Sequence, residues 1–245
     1  LSRLAQSQTG EASTDPPGAG EEWQALSEEA DALYRKGDYE RAMEVGRKAL
    51  EVAEKNAGPD HPDVAVSLNL LALLLQAQGR YEEAEPLFKR ALEIDEKSLG
   101  PDDPNVATCL ANLGSLYSAQ GRYDEAGPLH ARALAIREKA FGPDHPDVAE
   151  SLDHLATVDF SQGRSAEAEL LAKRALAIRE EALGPDHPAV AVNLNDLAYL
   201  YYVVGRYAEA EAAAVRALAT LEKALDGGDL DIAWSLNNLG DIYHA

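Results

Sequence analysis

A repeat of 42 residues constrains this chain more than any other feature. The phrase GPDHPDVA occurs at Gly58–Ala65 and at Gly142–Ala149, and variants of it start at residues 100 and 184. Gly-Arg pairs start at residues 79, 121, 163 and 205, so two independent markers share one period. Self-similarity at a fixed interval of roughly 20–50 residues is typical of a solenoid, in which each unit packs only against its neighbours.

Each unit is predicted to contain two helices joined by a tight turn. In the unit that begins at Gly100, apolar or small residues recur every three or four positions from Val106 to Tyr117, and again from Tyr123 to Ile136. This spacing predicts two amphipathic helices. No stretch shows the sustained alternation of a strand. We therefore predict an all-α fold, an α-solenoid of stacked helix-turn-helix units.

The recurring phrase GPDHP is predicted to end one helix and begin the next. Its second proline suits the first turn of a helix, where a missing N–H costs nothing. The aspartates of the phrase are the predicted N-caps: Asp60, Asp144 and Asp186. A metal array is the alternative reading for the histidines, which are His61, His145 and His187. Consecutive units would hold these histidines apart and Asp103 interrupts the row, so we predict no metal site and no cofactor.

Several recurring residues resemble tetratricopeptide repeats. They include Tyr81-x-x-Ala84, Leu87-Phe88, Ala91-Leu92 and the pair Leu113-Gly114. The 42-residue period and the run RALAIREKAFGPDHP, with its echo RALAIREEALGPDHP, are similar to the kinesin light chain subgroup. The resemblance implies a right-handed α-solenoid of such repeats. The alanine-rich composition, with a single methionine, suggests a bacterial origin.

Two regions are predicted, a linker over residues 1–20 and a solenoid over residues 21–245. The linker is rich in Ser, Thr, Pro and Gly and is expected to be disordered. The solenoid divides into units 21–57, 58–99, 100–141, 142–183 and 184–225 and a half unit 226–245. Because the chain begins with Leu1 and stops inside the pattern, we expect it to be part of a longer protein.

The sequence contains no pattern that indicates catalysis. The motifs GxxxxGKS, HExxH, GxSxG and CxxC are all missing, and Cys109 is expected to be a small buried hydrophobe. Two charged columns recur in the second to fifth units: Glu83, Glu125, Glu167 and Glu209, and Arg90, Arg132, Arg174 and Arg216. Their recurrence predicts ion pairs of the scaffold or solvated surface. We therefore expect no enzymatic activity.

The net charge of −21 restricts the partners that the chain could bind. Nucleic acids and anionic membranes attract Lys and Arg, whereas here 43 acidic residues outnumber 22 basic ones. A neutral or basic protein or peptide is the expected partner. No apolar run approaches the ~18–20 residues of a membrane span. The single cysteine suits a reducing compartment, so a cytoplasmic location is expected.

The resemblance implies that the first helix of each unit lines a concave groove. By register the groove would contain Asn69, Leu73, Gln76, Asn112, Ser115, Ser118, Asp153, His154, Thr157, Phe160, Asn195, Asp196, Tyr199, Tyr202, Asn237, Asn238 and Asp241. The asparagines could hold a peptide backbone, the aromatic residues could anchor it, and the aspartates would favour a basic ligand. The alternative is that the asparagines bridge neighbouring helices and the tyrosines fill the seams between units.

Three functions are compatible with these patterns. The favoured one is a non-enzymatic scaffold that binds a peptide or a partner helix in its concave groove. The second is a regulatory or sensor arm of a larger enzyme, such as a protease or an ATPase. The third is a self-assembly module that uses the open face of the last half unit, over Leu236–Tyr243, which could instead act as a crude cap or continue into a longer chain.

Overall fold

Helix pairs follow one another along the whole computed structural model, which describes residues 18–224 and 230–245. Most of the predicted linker, residues 1–17, lies outside the described residues. The helices are α1 (Glu21–Arg35), α2 (Tyr39–Ala57), α3 (Pro62–Ala77), α4 (Tyr81–Leu99), α5 (Pro104–Ala119), α6 (Tyr123–Phe141), α7 (Pro146–Ser161), α8 (Ser165–Leu183), α9 (Pro188–Val203), α10 (Tyr207–Ala224) and α11 (Leu230–His244). No strand occurs among the described residues. The predicted all-α solenoid is confirmed.

The stack curves because its two sides are packed differently. The two helices of a repeat pack mainly on each other, and each second helix packs on the first helix of the next repeat. Most first helices also contact the next first helix, as α1–α3, α3–α5, α5–α7 and α9–α11 do. The backbones of consecutive second helices do not approach one another as closely in the described part of the chain. The first helices therefore form the inner, concave side.

The core of each repeat comes from the apolar face that the three-to-four spacing creates. Leu71, Leu74 and Leu75 of α3 are buried in one core cluster with Phe88 of α4, which is fully buried, in the second repeat. Burial of such a side chain stabilises the fold by about 1.5–3 kcal/mol. Because neither helix can hide its apolar face alone, every repeat depends on its neighbours.

The histidines of the GPDHP phrase are the N-caps of the first helices. His61 Nδ1 accepts a hydrogen bond from the backbone N–H of Asp63 at 3.1 Å, and His145 and His187 cap α7 and α9 in the same way. Asp103 replaces histidine in the third repeat and accepts from Asn105 at 2.8 Å.

The prediction that Asp60, Asp144 and Asp186 are the caps is therefore wrong by one residue. Proline occupies the first helical position, so the residue directly before it is the one whose side chain can reach the free N–H groups. The histidines thus have a structural role in starting helices.

Turns within and between repeats depend on glycine. Gly121 has φ 73° in the turn between α5 and α6, and Gly142 has φ 90° at the end of α6. A side chain at either position would be strained, because L-residues rarely adopt positive φ. At the N-terminal end the contacts of the solenoid begin at Ala19, whose N–H donates to Asp63 Oδ2 at 2.8 Å and whose carbonyl accepts from Asn56 Nδ2 at 2.9 Å.

A ladder of ion pairs links consecutive second helices on the outer side. Each arginine of the predicted basic column pairs with a glutamate of the preceding repeat: Arg90 with Glu54, Arg132 with Glu96, Arg174 with Glu138 and Arg216 with Glu180. The nitrogen–oxygen distances are 2.5–2.7 Å. The expectation of scaffold ion pairs is confirmed for this column. Such exposed pairs contribute only about 0–1 kcal/mol each.

A second polar group, here called the junction cluster, occurs twice in full within the described residues. One copy joins the second and third repeats and consists of Glu85, Lys89, Tyr117 and Arg122; the other joins the fourth and fifth and consists of Glu169, Lys173, Tyr201 and Arg206. In each copy the glutamate accepts from the tyrosine, the lysine and the arginine. Between the third and fourth repeats Asp159 takes the tyrosine position and pairs with Arg164 instead.

Candidate functional site

The inner face of the solenoid is lined by one stripe of each first helix. These residues recur at intervals of three or four, so they share a helix face, and all are half-buried or exposed. The inner stripe consists of Val66, Leu70, Leu73 and Ala77 in the second repeat, Thr108, Asn112, Ser115 and Ala119 in the third, Glu150, His154, Thr157 and Ser161 in the fourth, and Val192, Asp196, Tyr199 and Val203 in the fifth. Unlike the buried faces, the stripe changes chemistry from repeat to repeat.

Most of the predicted asparagines lie at contacts between first helices. Asn112 Nδ2 donates to Asn69 Oδ1 at 3.0 Å, which links α5 to α3. Asn195 is fully buried, and its Nδ2 donates to Ser235 Oγ at 2.8 Å. Asn238 Nδ2 donates to the backbone oxygen of Asn195 at 3.3 Å. The prediction that Asn195 and Asn238 face a ligand is wrong, because contact between α9 and α11 buries both.

The other predicted groove residues are accessible to solvent. The half-buried ones are Asn69, Leu73, Gln76, Asn112, Ser115, Ser118, Asp153, His154, Phe160 and Tyr202. The exposed ones are Thr157, Asp196, Tyr199, Asn237 and Asp241. Solvent therefore reaches most of the predicted groove residues.

The seam between α7 and α9 is the most distinctive part of the groove. These two make the weakest contact of any neighbouring first helices. A polar network fills the seam. The Nη2 atom of Arg179 on α8 lies 2.5 Å from Asp153 Oδ2. The Nη1 group of Arg179 donates a hydrogen bond to Asn193 Oδ1. Asn193 Nδ2 in turn donates to Asp153 Oδ1 at 2.7 Å. The Arg179 guanidinium thus occupies the floor of the groove and fixes the Asp153 carboxylate.

Electrostatics at the seam favour a positive group. Desolvation by the groove walls, and then the nearby Asp153 carboxylate, raises the pKa of Asp196 to about 7, whereas Arg179 acts in the opposite direction. Part of the Asp196 side chain remains exposed, so water screens this effect. Burial also raises the pKa of Asp153, although Arg179 opposes it. A cation that approached Asp196 would relieve the penalty of holding both carboxylates ionised.

Arg137 and Arg179 were missed by the sequence analysis. They occupy equivalent positions on α6 and α8, in a column that otherwise contains buried Ala53, Asp95 and Leu221. Arg137 Nη1 donates to Ser151 Oγ at 2.8 Å and lies 3.0 Å from Glu150 Oε2. The signal that could have revealed them is arginine in a column that holds alanine in the first repeat and leucine in the fifth.

His130 is a second buried polar group that the sequence did not reveal. It is fully buried on α6, and its ring stacks on His154 with centroids 4.8 Å apart. Neither ring nitrogen has a hydrogen-bond partner of good geometry. Burial lowers the pKa of His130 to about 3, despite a small opposing effect of the Gly114 backbone. Desolvation lowers the pKa of His154 as well. His130 therefore stays neutral beneath the groove.

Cys109 behaves as expected from its position. It is buried on α5, with Sγ 3.4 Å from Asp95 Oδ2. Burial first, and then the nearby Asp95 charge, raises the pKa of the Cys109 thiol well above its usual range. A thiol of this kind is a poor nucleophile.

Two further observations concern ligands other than proteins. Within residues 18–224 and 230–245, no three His, Cys, Asp or Glu side chains come together in a way that could hold a metal ion. Every helix in the same ranges is too short or too polar to cross a lipid bilayer.

Comparison with protein families identifies the repeats. A model described as Tetratricopeptide repeat matches residues 24–97, 64–126, 111–181, 171–223 and 190–245, which together extend from residue 24 to the end of the sequence. No curated protein matches the chain.

Solved structures share both the fold and part of the sequence. A Podosopora anserina protein of kinesin light chain type, with nearly identical TPR-like repeats, is 26% identical with a TM-score of 0.68, over 82% of this chain and 95% of that one. BtubC (BKLC) from P. vanneervenii is 26% identical with a TM-score of 0.69, over 87% of this chain and 84% of that one. The apo form of RapI, at 16% identity and a TM-score of 0.64, covers 99% and 86% and shows the fold alone.

Proposed function

The chain belongs to the tetratricopeptide repeat family, and on this basis we propose that it is a non-enzymatic scaffold that binds a peptide or a partner helix in its inner groove. Tetratricopeptide repeats form a scaffold fold that typically mediates protein–protein interaction. Binding of the ligand in the inner groove is the more specific part of the proposal. A cytoplasmic setting is part of it, because the single cysteine requires no oxidising compartment.

The observation that carries this proposal is the contrast between repeated and varied positions. Buried residues and the outer ion pairs recur with the 42-residue period, as the fold requires. The inner stripe does not recur. It changes from Val66, Leu70 and Leu73 in the second repeat to Asp196 and Tyr199 in the fifth, on helices of the same length. Solvent-facing side chains that the fold leaves free are the ones available for recognition.

Charge on the inner side supports a neutral or basic ligand. The exposed carboxylates on the inner face are those of Glu150, Asp196 and Asp241, whereas the arginines beneath it, Arg137 and Arg179, are already held in ion pairs. An acidic ligand would meet repulsion there, and a basic one attraction. The negative net charge disfavours nucleic acids and anionic membranes for the same reason.

Selection from a displayed random peptide library tests the groove directly. We expect the enriched peptides to lose most of their affinity when Asn112→Ala, Asp196→Ala and Tyr199→Ala are combined, because all three side chains lie on the inner stripe. The outer substitution Glu93→Ala on exposed α4 surface is the matched control, since it also removes one negative charge. Peptides that bind the triple variant as well as the original protein would overturn the groove proposal.

A specific observation also favours self-association through α11 as a second candidate. Leu236 and Tyr243 are 53% and 66% exposed, whereas Leu194 and Tyr201, at the same positions of α9, are 4% and 6% exposed because α10 covers them. A second copy could cover this face of α11. Light scattering at increasing concentration tests this candidate, with Leu236→Ser as the variant. A monomer at every concentration would contradict it.

A further inference from the structure

An exposed apolar patch lies where the groove meets the turn of the fifth repeat. Four of its side chains are strongly exposed: Tyr199 (48%), Val203 (51%), Val204 (41%) and Tyr207 (45%). The half-buried Tyr202 completes it, with its ring 6.0 Å from that of Tyr207. We call these five residues the fifth-repeat patch. Tyr199, Tyr202 and Val203 lie within about one turn at the end of α9. Val204 directly follows α9, and Tyr207 begins α10.

Other repeats show that the fold does not need large apolar residues there. The positions of Val203 and Val204 hold Ala77 and Gln78, Ala119 and Gln120, or Ser161 and Gln162 in the second to fourth repeats. Those glutamines have a local task, since Gln120 Oε1 accepts from Arg122 Nη1 at 2.8 Å and Gln78 and Gln162 do likewise.

The fifth repeat dispenses with this bond and still forms the same turn. Arg206 pairs with Glu169 and Glu209, and Val204 is left facing solvent. Tyr207 is likewise replaceable, because Ser165 begins the second helix of the fourth repeat. Tyr199 packs edge-on against Phe160, with ring centroids 5.8 Å apart, and Tyr202 packs on the core. Packing within the chain does not explain the apolar character of Val203 and Val204, whereas contact with a partner would.

The surroundings of the patch define the chemistry of that partner. Asp196 precedes Tyr199 by three residues and lies on the same stripe, and Asp241 of the adjacent α11 occupies the position equivalent to Tyr199. Neither forms an ion pair within the described residues, and both are exposed. Arg206, the nearest cation along the chain, is already paired. Apolar surface beside unpaired carboxylates matches an amphipathic segment with basic flanks.

We propose that the fifth-repeat patch is the docking site for a basic amphipathic segment of a partner protein. The apolar side chains of the partner segment cover Tyr199, Val203 and Val204, and the Lys or Arg side chains of the segment pair with Asp196 and Asp241. This inference rests on the proposed groove function and names both the end of the groove that anchors the ligand and the class of ligand.

Two synthetic peptides test the proposal against the full chain. Both carry leucine and phenylalanine at the same helical spacing; one has lysine and the other glutamate at the remaining positions. Fluorescence anisotropy at physiological salt measures binding. The test variant combines Val203→Ser, Val204→Gln and Tyr207→Ser, which installs the residues of the fourth repeat and leaves the net charge unchanged. Leu170→Ser is the matched control, because Leu170 is an exposed apolar residue of α8 that lies outside the inner stripe.

We expect the lysine peptide to bind the original protein and the control alike, and to bind the triple variant at least about tenfold more weakly. Asp196→Asn with Asp241→Asn should weaken it about fivefold and reduce its salt dependence. Circular dichroism and thermal melting confirm that each variant is folded. Unchanged affinity of the triple variant, equal binding of the glutamate peptide, or no saturable binding to the original protein would each overturn the proposal.

The failure of this inference can be told apart from that of the groove proposal. Library-selected peptides that lose affinity in the Asn112, Asp196 and Tyr199 variant but not in the patch variant would leave the groove function standing and remove the patch. A dimer of the original protein that the patch variant dissociates would assign the patch to a second copy, which also overturns the proposal.

Discussion

The third and fifth repeats share a framework and differ in what they present to the groove. Both begin with a 16-residue helix at proline, and each is joined to the preceding repeat by a copy of the junction cluster. The arginine lies over the tyrosine ring at 3.9 Å in one copy and 4.5 Å in the other. The inner stripe, in contrast, is small and polar in the third repeat and acidic and bulky in the fifth.

This difference separates the positions that build the solenoid from those that are free to bind. A position fixed by burial or by a junction recurs every 42 residues, because the same neighbours surround it in each repeat. A position that faces the groove has no such neighbour. Each of the following predictions tests one point at which the two repeats agree or differ, from the largest expected effect to the smallest.

The largest effect should come from His130, whose place in the fifth repeat is taken by Ala214. Since the folded-state pKa of His130 is lowered to about 3, the unfolded chain binds the proton more readily. The contribution of the neutral ring to the free energy of unfolding is therefore fully present above about pH 6.5 and is lost as pH falls toward about 3. At about pH 4 the free energy of unfolding should be lower by roughly 3 kcal/mol.

Replacing the histidine should remove this acid sensitivity. His130→Phe installs the residue that Phe88 provides in the second repeat. Urea unfolding at several pH values measures the effect, and the variant should lose less stability on acidification than the original protein. Parallel pH profiles of the two proteins would show that His130 is not the group responsible.

Gly114→Ala should have the next largest effect. A Cβ at Gly114 would lie 2.7 Å from His130 Cε1, so the ring must shift in a close-packed core. Overpacking of this kind costs about 1–3 kcal/mol. In the fifth repeat the same pair is Ala198 and Ala214, which pack without conflict.

A double-mutant cycle checks this explanation. In a His130→Ala background, Gly114→Ala recreates the alanine pair of the fifth repeat and should cost less than in the original protein, by about 1 kcal/mol or more. Thermal or urea unfolding gives all four free energies. An equal cost in both backgrounds would mean that the imidazole ring is not what excludes the methyl group.

The two junction clusters should respond equally. Glu85→Gln and Glu169→Gln each weaken hydrogen bonds from a tyrosine, a lysine and an arginine, and each should cost about 1 kcal/mol after allowance for partial exposure. Lys89 first, and then Arg122, lowers the pKa of Glu85 to about 2. Its contribution is thus present above about pH 4.5 and is lost as pH falls toward about 2. Chemical unfolding of both variants checks this equivalence, which a clearly larger loss at one junction would break.

Asp196→Asn should have the smallest effect on stability, because part of the Asp196 carboxylate contacts water. The substitution gives the fifth repeat the residue that the third repeat has at the equivalent position, Asn112. The pKa of Asp196 is raised to about 7, so the ionised carboxylate destabilises the folded state. Stability therefore falls as pH rises from about 3.8 to about 7. The variant should melt slightly higher than the original protein at about pH 8, and by a smaller margin at about pH 5. A larger gain at the lower pH would contradict this assignment.

Much of the fold could be predicted from sequence because its signals are local. Helix 3–4 spacing, the glycine turns and the proline starts each lie within a few residues, and the period repeats them often enough to remove ambiguity. The cap was misplaced by one residue because aspartate is the commoner cap, whereas here His61 stands directly before the first helical proline.

The candidate site was less predictable because its side chains depend on distant partners. Asn112 and Asn195 have the same amide group, yet one lies half-buried at the groove and the other is enclosed by α11. Arg179 reaches Asp153 and Asn193 across three helices, which no short-range pattern encodes.

The sequence by itself determined the number, order and pairing of the helices, since these follow from a period that every repeat restates. Only the tertiary structure decided which polar side chains remain open to a ligand. The physical reason is that a side chain at a seam is buried or free according to the residue opposite it, about one repeat away, and the seam between α7 and α9 differs from its neighbours in that contact.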